Sequence, residues 1–524
     1  MPPAVPPDAE PSQQIAALEK RIAALEQELA AVRLRGLHSN VQLALMDERL
    51  LNLERNRLFR LWGRIYRAAS RLYAGELSDL RTPGDYARWV HHEQRQLAAE
   101  TLQPIAGPLI SVVTKDDLSE QSYPRWERVS DAAAAKGDFI LVLHPGDRLS
   151  PHALHNYAQA HSLDDSAALL YSDEDHLDRQ GNRTDPLFKP GWSPELLRST
   201  PYLGRSVLYR RDVFLKPDPS LRAHHIPKVL YHRSPSCVAD FSLSTGEAKR
   251  SHEGITLIIC SRQTKQVREC LEAVQSTKSI ALDILVVHHL QSGSGKDMQR
   301  CVEGFGGTSI PYRGAFDFAR MNNLAASQAK SPYLLFMNDD VVVHHPGWDT
   351  ELAAALARPE IGVAGAILEY PDGAIQHAGV VVGMGDAAGH CGRFQTTSQL
   401  WPWLRMSREV SAVTGAMLAI RADLFRQLGG FDEAFPINYN DVDLCLRVRK
   451  AGLQVVCLNL GKIVHRESQT RVAGTRHQER EALYRRWSSV LAHPDQFYSP
   501  HLAPTERIAL NLEEGDHPLR GLTG

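Results

Sequence analysis

The chain has 524 residues, a formal net charge of −2, 43% hydrophobic residues and 23% charged residues. That length allows two or three domains at about 150 residues each, and the composition is ordinary for a soluble globular protein. A near-neutral charge supplies no field that would draw the whole chain to nucleic acid, which argues against a generally basic nucleic-acid binder.

Residues 1–12 are rich in proline and are expected to be disordered. Ile15, Leu18, Ile22, Leu25, Leu29 and Val32 then recur at heptad spacing. They predict a short coiled coil and a homo-oligomer built through it, the plain alternative being an amphipathic helix packed on its own chain. Residues 54–73 carry six arginines against one glutamate, interleaved with Leu58, Phe59, Leu61, Trp62, Ile65 and Tyr66. Such a basic amphipathic helix suits peripheral contact with an anionic membrane surface; otherwise it docks on its own protein with its arginines in water. The N-terminus has no signal-peptide pattern and no run of about 18 apolar residues occurs, so no transmembrane helix is expected. Seven scattered cysteines without a CxxC pair fit neither a disulfide framework nor a structural zinc site. The expected location is cytoplasmic, with the basic helix at the inner face of the cell membrane.

From about residue 108 the pattern changes to short apolar runs between helical stretches. LISVV (109–113), FILVL (139–143) and ALLYS (168–172) read as buried strands. The acidic YSDEDHLD (171–178) that follows reads as a polar turn, with a second metal site as the alternative. A longer unit starts at ITLIIC (255–260) and continues through DILVV (283–287), YLLFM (333–337), VAGAIL (363–368), GAMLAI (415–420) and QVVCLN (454–459). Helical patterns such as VRECLEAVQS (267–276) and FARMNNLAASQA (318–329) lie between them. Alternating strands and helices predict an open, mostly parallel sheet, with ligands bound beyond the carboxyl ends of its strands. One more helix, HQEREALYRRWSSVLAH, precedes a polar tail, and neither shows chemistry of its own.

Polar residues gather where those strands end. YLLFM runs straight into Asn338, Asp339 and Asp340. Adjacent carboxylates repel, and a hard divalent cation such as Mg2+ or Mn2+ would relieve this and hold a departing diphosphate; the alternative is a capping turn. Asn440, Asp441 and Asp443 open an amphipathic helix, where the helix dipole favours an anion. Asp441 is there either a plain cap or a general base for an attacking hydroxyl. IVHRES (463–468) ends a strand with His465, an ordinary histidine or a neutral ligand completing a metal site.

Residues 254–475 resemble the GT-A domain of glycosyltransferase family 2, of the bacterial cell-surface polysaccharide and rhamnan type. The resemblance rests on FDFARMNNLAASQAKSPYLLFMNDDV, YPDGAIQHAGVVVG, VSAVTGAMLAIR, GGFDEAFPINYNDVDLCLR and HRES, in the family's order. It implies that Asn338 and Asp340 take the outer positions of the Asp-x-Asp metal motif, that Asp441 is the catalytic base and that His465 is the late metal ligand. Arg262, Asn322 and Asn323 match positions near the donor nucleotide, and Asp339 is grouped with them. The family's aspartate after the second strand is replaced here: the stretch reads VVHHLQSGSG, so His288 or His289 would hydrogen-bond or stack on the base.

Residues 108–235 resemble a second, stripped copy. Its metal motif has become HPGD, leaving Asp147, and it is too short for the nucleotide-binding elements and the acidic helix start. The implied architecture is α/β: disordered residues 1–12, a helical arm (13–104), a reduced and non-catalytic GT-A-like domain (105–240), a catalytic GT-A domain (254–475) and a C-terminal helix and tail (476–524). The implied activity is inverting, metal-dependent transfer of a sugar (hexosyl or rhamnosyl) from a nucleoside-diphosphate sugar to a glycan hydroxyl. A non-catalytic scaffold beside other transferases is the alternative. A nucleotidyltransferase is weaker, because no basic phosphate-binding loop precedes the acidic strand end.

Overall fold

A computed structural model describes residues 83–214, 220–235, 253–290, 295–385, 387–466 and 476–511. All belong to one compact unit spanning Thr82–Thr470 and Gly474–Gly524. The proline-rich start, the heptad seam and the basic stretch at 54–73 lie outside these residues. The described part of the arm is the helix Pro83–Ala99. Its Tyr86 and Trp89 are buried: the Tyr86 hydroxyl donates to Asp175 at 2.7 Å, and Trp89 meets Phe188 edge-on at 5.5 Å. Among the described residues six cysteines are free, and no helix is long and apolar enough to cross a membrane.

The first sheet contains β1 (Ile110–Val113), β2 (Trp126–Val129), β3 (Phe139–Val142), β4 (Arg148–Leu149), β5 (Leu169–Leu177), β6 (Arg183–Leu187), β7 (Val207–Arg210) and β8 (Ala223–Arg233), in the order β2-β1-β3-β7-β5-β8-β4, with β6 on β5. The expected polar turn at 171–178 is corrected here. β5 continues through Asp173, Glu174 and Asp175, and all three are fully buried. Donors from later strands and loops make this tolerable. Glu174 accepts from Lys189 Nζ at 3.2 Å and Arg233 at 3.0 Å, and Asp175 accepts from Arg183 at 2.6 Å and His232 Nδ1 at 2.6 Å. Buried carboxylates persist only when paired in this way.

The second sheet and its edge contain β9 (Ile255–Ser261), β10 (Leu282–His289), β11 (Thr308–Tyr312), β12 (Tyr333–Asn338), β13 (Val341–Val343), β14 (Ile361–Ala366), β15 (Leu368–Glu369), β16 (Ile375–His377), β17 (Val380–Val382), β18 (Ala388–His390), β19 (Arg408–Glu409), β20 (Met417–Arg421), β21 (Gln454–Leu458) and β22 (Ile463–His465). The main order is β11-β10-β9-β12-β20-β14-β21-β19, beside a small sheet β13-β22-β15-β16. The strands fall where their apolar runs predict, but the sheet is more mixed than expected. β20 runs antiparallel to both β12 and β14. The cause is topological: the chain leaves β14 at its carboxyl end, builds β15 to β19 there, and comes back from the same side. The turn Thr414–Ala416 is thereby set at the ligand end of the sheet. The first sheet repeats this order, with β2-β1-β3 parallel and β7 antiparallel between β3 and β5.

Strand alternation divides the core. Ile255, Leu257 and Ile259 of β9 and Leu335 and Met337 of β12 face Val267, Leu271 and Val274 of the helix Thr264–Thr277. Ile258, Leu334 and Phe336 face the other way, toward the helices Phe318–Ala326 and Asn440–Lys450. That second core is continuous with Phe188, Leu196 and Tyr202 of the first sheet's unit. Trp403 Nε1 donates to Phe188 O at 3.2 Å, and Glu409 accepts from the Ser193 hydroxyl and from Glu195 N at 3.1 Å.

Candidate active site

Asn338 is the last residue of β12, and the chain turns at once into β13 through Asp339 and Asp340. β13 pairs antiparallel with β22, which sets Val341 opposite His465. His465 Nε2 consequently lies 3.1 Å from Asp340 Oδ1 and 3.3 Å from Asn338 Nδ2. Asp340 and His465 are nearly buried, at 5% and 4% exposure, and His465 Nδ1 is buried without a hydrogen-bond partner. Asp339 turns the other way and accepts from the Ser261 hydroxyl. Burial, with some help from Asp340, pushes the Asp339 carboxyl up to about 6, although the Ser261 bond and His465 pull it down.

Asp441 stands in the first turn of the helix Asn440–Lys450, after Tyr439 in a left-handed conformation (φ 60°). Its Oδ1 accepts from Val442 N at 2.8 Å and its Oδ2 from Gly415 N at 2.7 Å. The next residue of that turn, Ala416, accepts from Asn338 N at 3.0 Å. Two consecutive residues thus touch Asp441 and Asn338, and the acidic strand end, the acidic helix start and His465 share one edge of the sheet. Asp441 remains partly exposed.

Of the residues expected near the donor, those on β9 and β10 lie at the same edge. β9 pairs Cys260 with Asn338, and β10 pairs His288 with Ser261. Arg262 follows Ser261 and is exposed. Burial, with His289 adding to it, lowers the affinity of the His288 imidazole for a proton. His289 is turned inward, 2.9 Å from Gly314 O through Nε2 and edge-on to Phe316. Asn322 donates to Phe318 O at 2.8 Å within its own helix. Asn323 clamps Phe431, donating to its carbonyl at 2.8 Å and accepting from its amide at 2.9 Å. Asn323 therefore braces the loop that leads to Asp441, whereas Asn322 is satisfied within its own helix. A cavity of about 780 Å³, lined in part by Lys330, Tyr333, Arg421 and Arg426, lies at the opposite, amino-terminal end of these strands, and none of the predicted residues lines it.

Sequence reasoning passed over Glu479 and His377 as supports of this site and gave Asp443 no role beyond the helix start. Glu479, in the helix Arg476–Leu491, accepts from Ile437 N at 2.7 Å and from Asn438 N at 2.8 Å, just before Asp441. Asp443 accepts from Arg486 at 2.8 Å and Trp487 Nε1 at 3.0 Å of the same helix. The fully buried His377 Nε2 accepts from Gly379 N at 3.3 Å and from Thr414 N at 3.4 Å, directly before Gly415. Burial holds His377 far below the usual histidine range, with His390, Arg408 and His465 adding repulsion, so it is neutral. An acceptor role at both amides requires that state.

Asp147, expected from the sequence to be what is left of a metal motif, is occupied from within. It accepts from Arg205 at 3.0 Å, Tyr231 at 2.7 Å and Ser234 N at 2.7 Å. Among the described residues no group of three or more histidine, cysteine, aspartate or glutamate side chains is arranged to hold a metal ion.

Residues 252–488 match the family described as glycosyltransferase like family 2. Over these residues the chain is similar to family 2 glycosyltransferase domains. The O-antigen biosynthesis protein RfbC of Myxococcus xanthus is 32% identical over 442 residues, covering 71% of this chain and 34% of that protein. The N-acetylglucosaminyl-diphospho-decaprenol L-rhamnosyltransferase of Mycobacterium tuberculosis is 26% identical over 155 residues, 26% of this chain and 48% of that protein. The chain thus spans between about a third and a half of the length of these relatives. A mannosyltransferase from Pyrobaculum calidifontis, solved with GDP-Man and Mn2+, shares 14% identity at a TM-score of 0.34, over 46% of this chain and 65% of that one. Within the matched residues, Asn338, Asp340, Asp441 and His465 stand at one strand edge.

Proposed function

We propose that the protein transfers a sugar from a nucleoside-diphosphate sugar to a hydroxyl of a cell-surface glycan or its precursor, with inversion at the anomeric carbon. The reading rests on Asp441. A carboxylate fixed by two backbone N–H groups, at a helix start and partly exposed, is held as an oriented anion able to take a proton. Asp441 accepts the proton of the acceptor hydroxyl as that oxygen bonds to the anomeric carbon. The bond to the diphosphate breaks on the opposite face, and its electron pair leaves with the nucleoside diphosphate.

Asp340, His465 and Asn338 suit a divalent cation. They supply one carboxylate, one imidazole and one amide, with the His465 Nε2 within hydrogen-bond reach of both Asp340 and Asn338. Bound there, Mg2+ or Mn2+ would neutralise charge growing on the diphosphate. Arg262, Asp339 and His288 flank the nucleotide, Asn323 acts at one remove by bracing the loop, and Asn322 steadies the helix that carries them both. The names of the relatives favour a rhamnosyl or related donor and a polysaccharide acceptor. The first sheet's unit serves as a non-catalytic partner, since its one motif carboxylate is already paired.

Asp441→Asn should abolish transfer and leave nucleotide affinity nearly unchanged, measured by product formation and by calorimetric titration. An Asp441→Asn enzyme that still inverts would refute the base assignment. Failure of the wild-type protein to release nucleoside diphosphate from any of a panel of donor sugars with Mn2+ would favour the scaffold reading.

A further inference from the structure

The small sheet continues past His465, away from the Ser261 and His288 edge. β15 pairs with β22, Glu369 opposite Val464, and Tyr370 follows. Phe394 N donates to Ile375 O at 2.8 Å, which brings the loop after β18 onto β16. The Tyr370 and Phe394 rings then lie flat on each other, 5.2 Å apart and tilted by 2°. Phe394 remains 56% exposed. Its φ is 64°, a left-handed conformation that costs an L residue roughly 1–2 kcal/mol. A ring left more than half in water recovers little of that by burial. Strain kept at an exposed aromatic residue calls for a use outside the fold.

Arg393 completes the patch. Its guanidinium carbon lies 4.9 Å from the Phe394 ring centre, and its Nε donates to the Tyr370 hydroxyl at 2.8 Å. Glu506 pairs with Arg393 at 3.4 Å and accepts from His390 N at 3.5 Å. His390 is 2.9 Å from His377, which holds the turn that donates to Asp441. The patch is therefore joined to the base, on the side away from the nucleotide edge.

We propose that Phe394, Tyr370 and Arg393 form a subsite for a sugar ring of the glycan acceptor, beyond the unit whose hydroxyl faces Asp441. This rests on the transferase reading above. A pyranose has an apolar C–H face that packs on a flat ring and equatorial hydroxyls that accept from a guanidinium fork. An exposed aromatic stack with an arginine at its edge offers both.

Binding of an α-linked rhamnose tetrasaccharide and of a β-linked N-acetylglucosamine tetrasaccharide, followed by saturation-transfer NMR and calorimetry on the full chain, tests it. The wild-type protein should bind one of them. Phe394→Tyr should keep that affinity, and Phe394→Gly should weaken it about tenfold. Phe394→Gly should also keep its melting temperature, because glycine relieves the strain; a ring that only props the loop would lower it. Equal affinity in wild type and Phe394→Gly, or no binding of either probe by the wild type, overturns the subsite. Nucleoside diphosphate release from donor without acceptor should be the same in all three proteins. Its absence from the wild type would instead sink the transferase reading.

Discussion

Asp441, Asn338, Asp340 and His465 share a pattern that a linear reading detects: each is a polar residue directly beside a strongly apolar run, where a core strand or helix begins or ends. Such contrast survives without tertiary information. His377 has no such mark. It sits among small apolar residues in IQHAGVVV, and its use appears only when β16 brings its ring under the amides of Gly379 and Thr414. His377→Phe fills the space and removes the acceptor. The turn that carries Gly415 should shift, and a misplacement of about 1 Å costs on the order of a hundredfold in rate. We expect kcat to fall by roughly that factor with donor KM nearly unchanged, and His377→Gln to recover part of the loss. Equal kcat for His377→Phe and wild type would show that the turn holds itself.

At the level of elements, the apolar runs were easy to place because burial on both faces demands unbroken hydrophobic sequence. β5 was not. Its Ser172–His176 segment is polar, and partners that follow it in the chain, among them Arg183, Lys189 and Arg233, allow it to lie inside. Lys189 is itself fully buried, and burial pulls its ammonium below the usual lysine range although Glu174 and Asp173 oppose this. Lys189→Met leaves Glu174 without that partner in a dry site, which costs about 3–5 kcal/mol. Thermal unfolding should show the loss, and donor affinity in the folded protein should be preserved. A small change in melting temperature would mean that Arg233 and the backbone amides suffice. The helix Arg476–Leu491 was visible as a helix, but its Glu479 became meaningful only on contact with the loop before Asp441.

Across the molecule, the two sheets share one continuous core, and Glu409 of β19 reaches over to Ser193 and Glu195. Burial pushes the Glu409 carboxyl up to about 7 from near 4.5. The folded protein therefore holds this proton more tightly than the unfolded chain does. Its contribution to stability is full below pH 4.5 and is lost as pH rises through about 7, by on the order of 3 kcal/mol at most. Glu409→Gln should flatten the fall in melting temperature between pH 4.5 and 7 relative to wild type. Identical profiles would show that Glu409 is ionised throughout. Two successive series of apolar strands were readable in the sequence, whereas the shared core was not, because tyrosines and tryptophans that join two sheets look the same in sequence as those that fill one.

Both sheets are built so that one strand returns from the ligand side, and the turn before it occupies the same register: Arg205 stands two residues ahead of β7, and Gly415 two residues ahead of β20. In one copy that position extends a guanidinium onto the motif carboxylate; in the other it has no side chain to extend. The first copy has internalised its own counter-charge; on the function proposed above, the second takes one from solution. A single backbone position would then separate a self-neutralised pocket from one that takes its cation from outside.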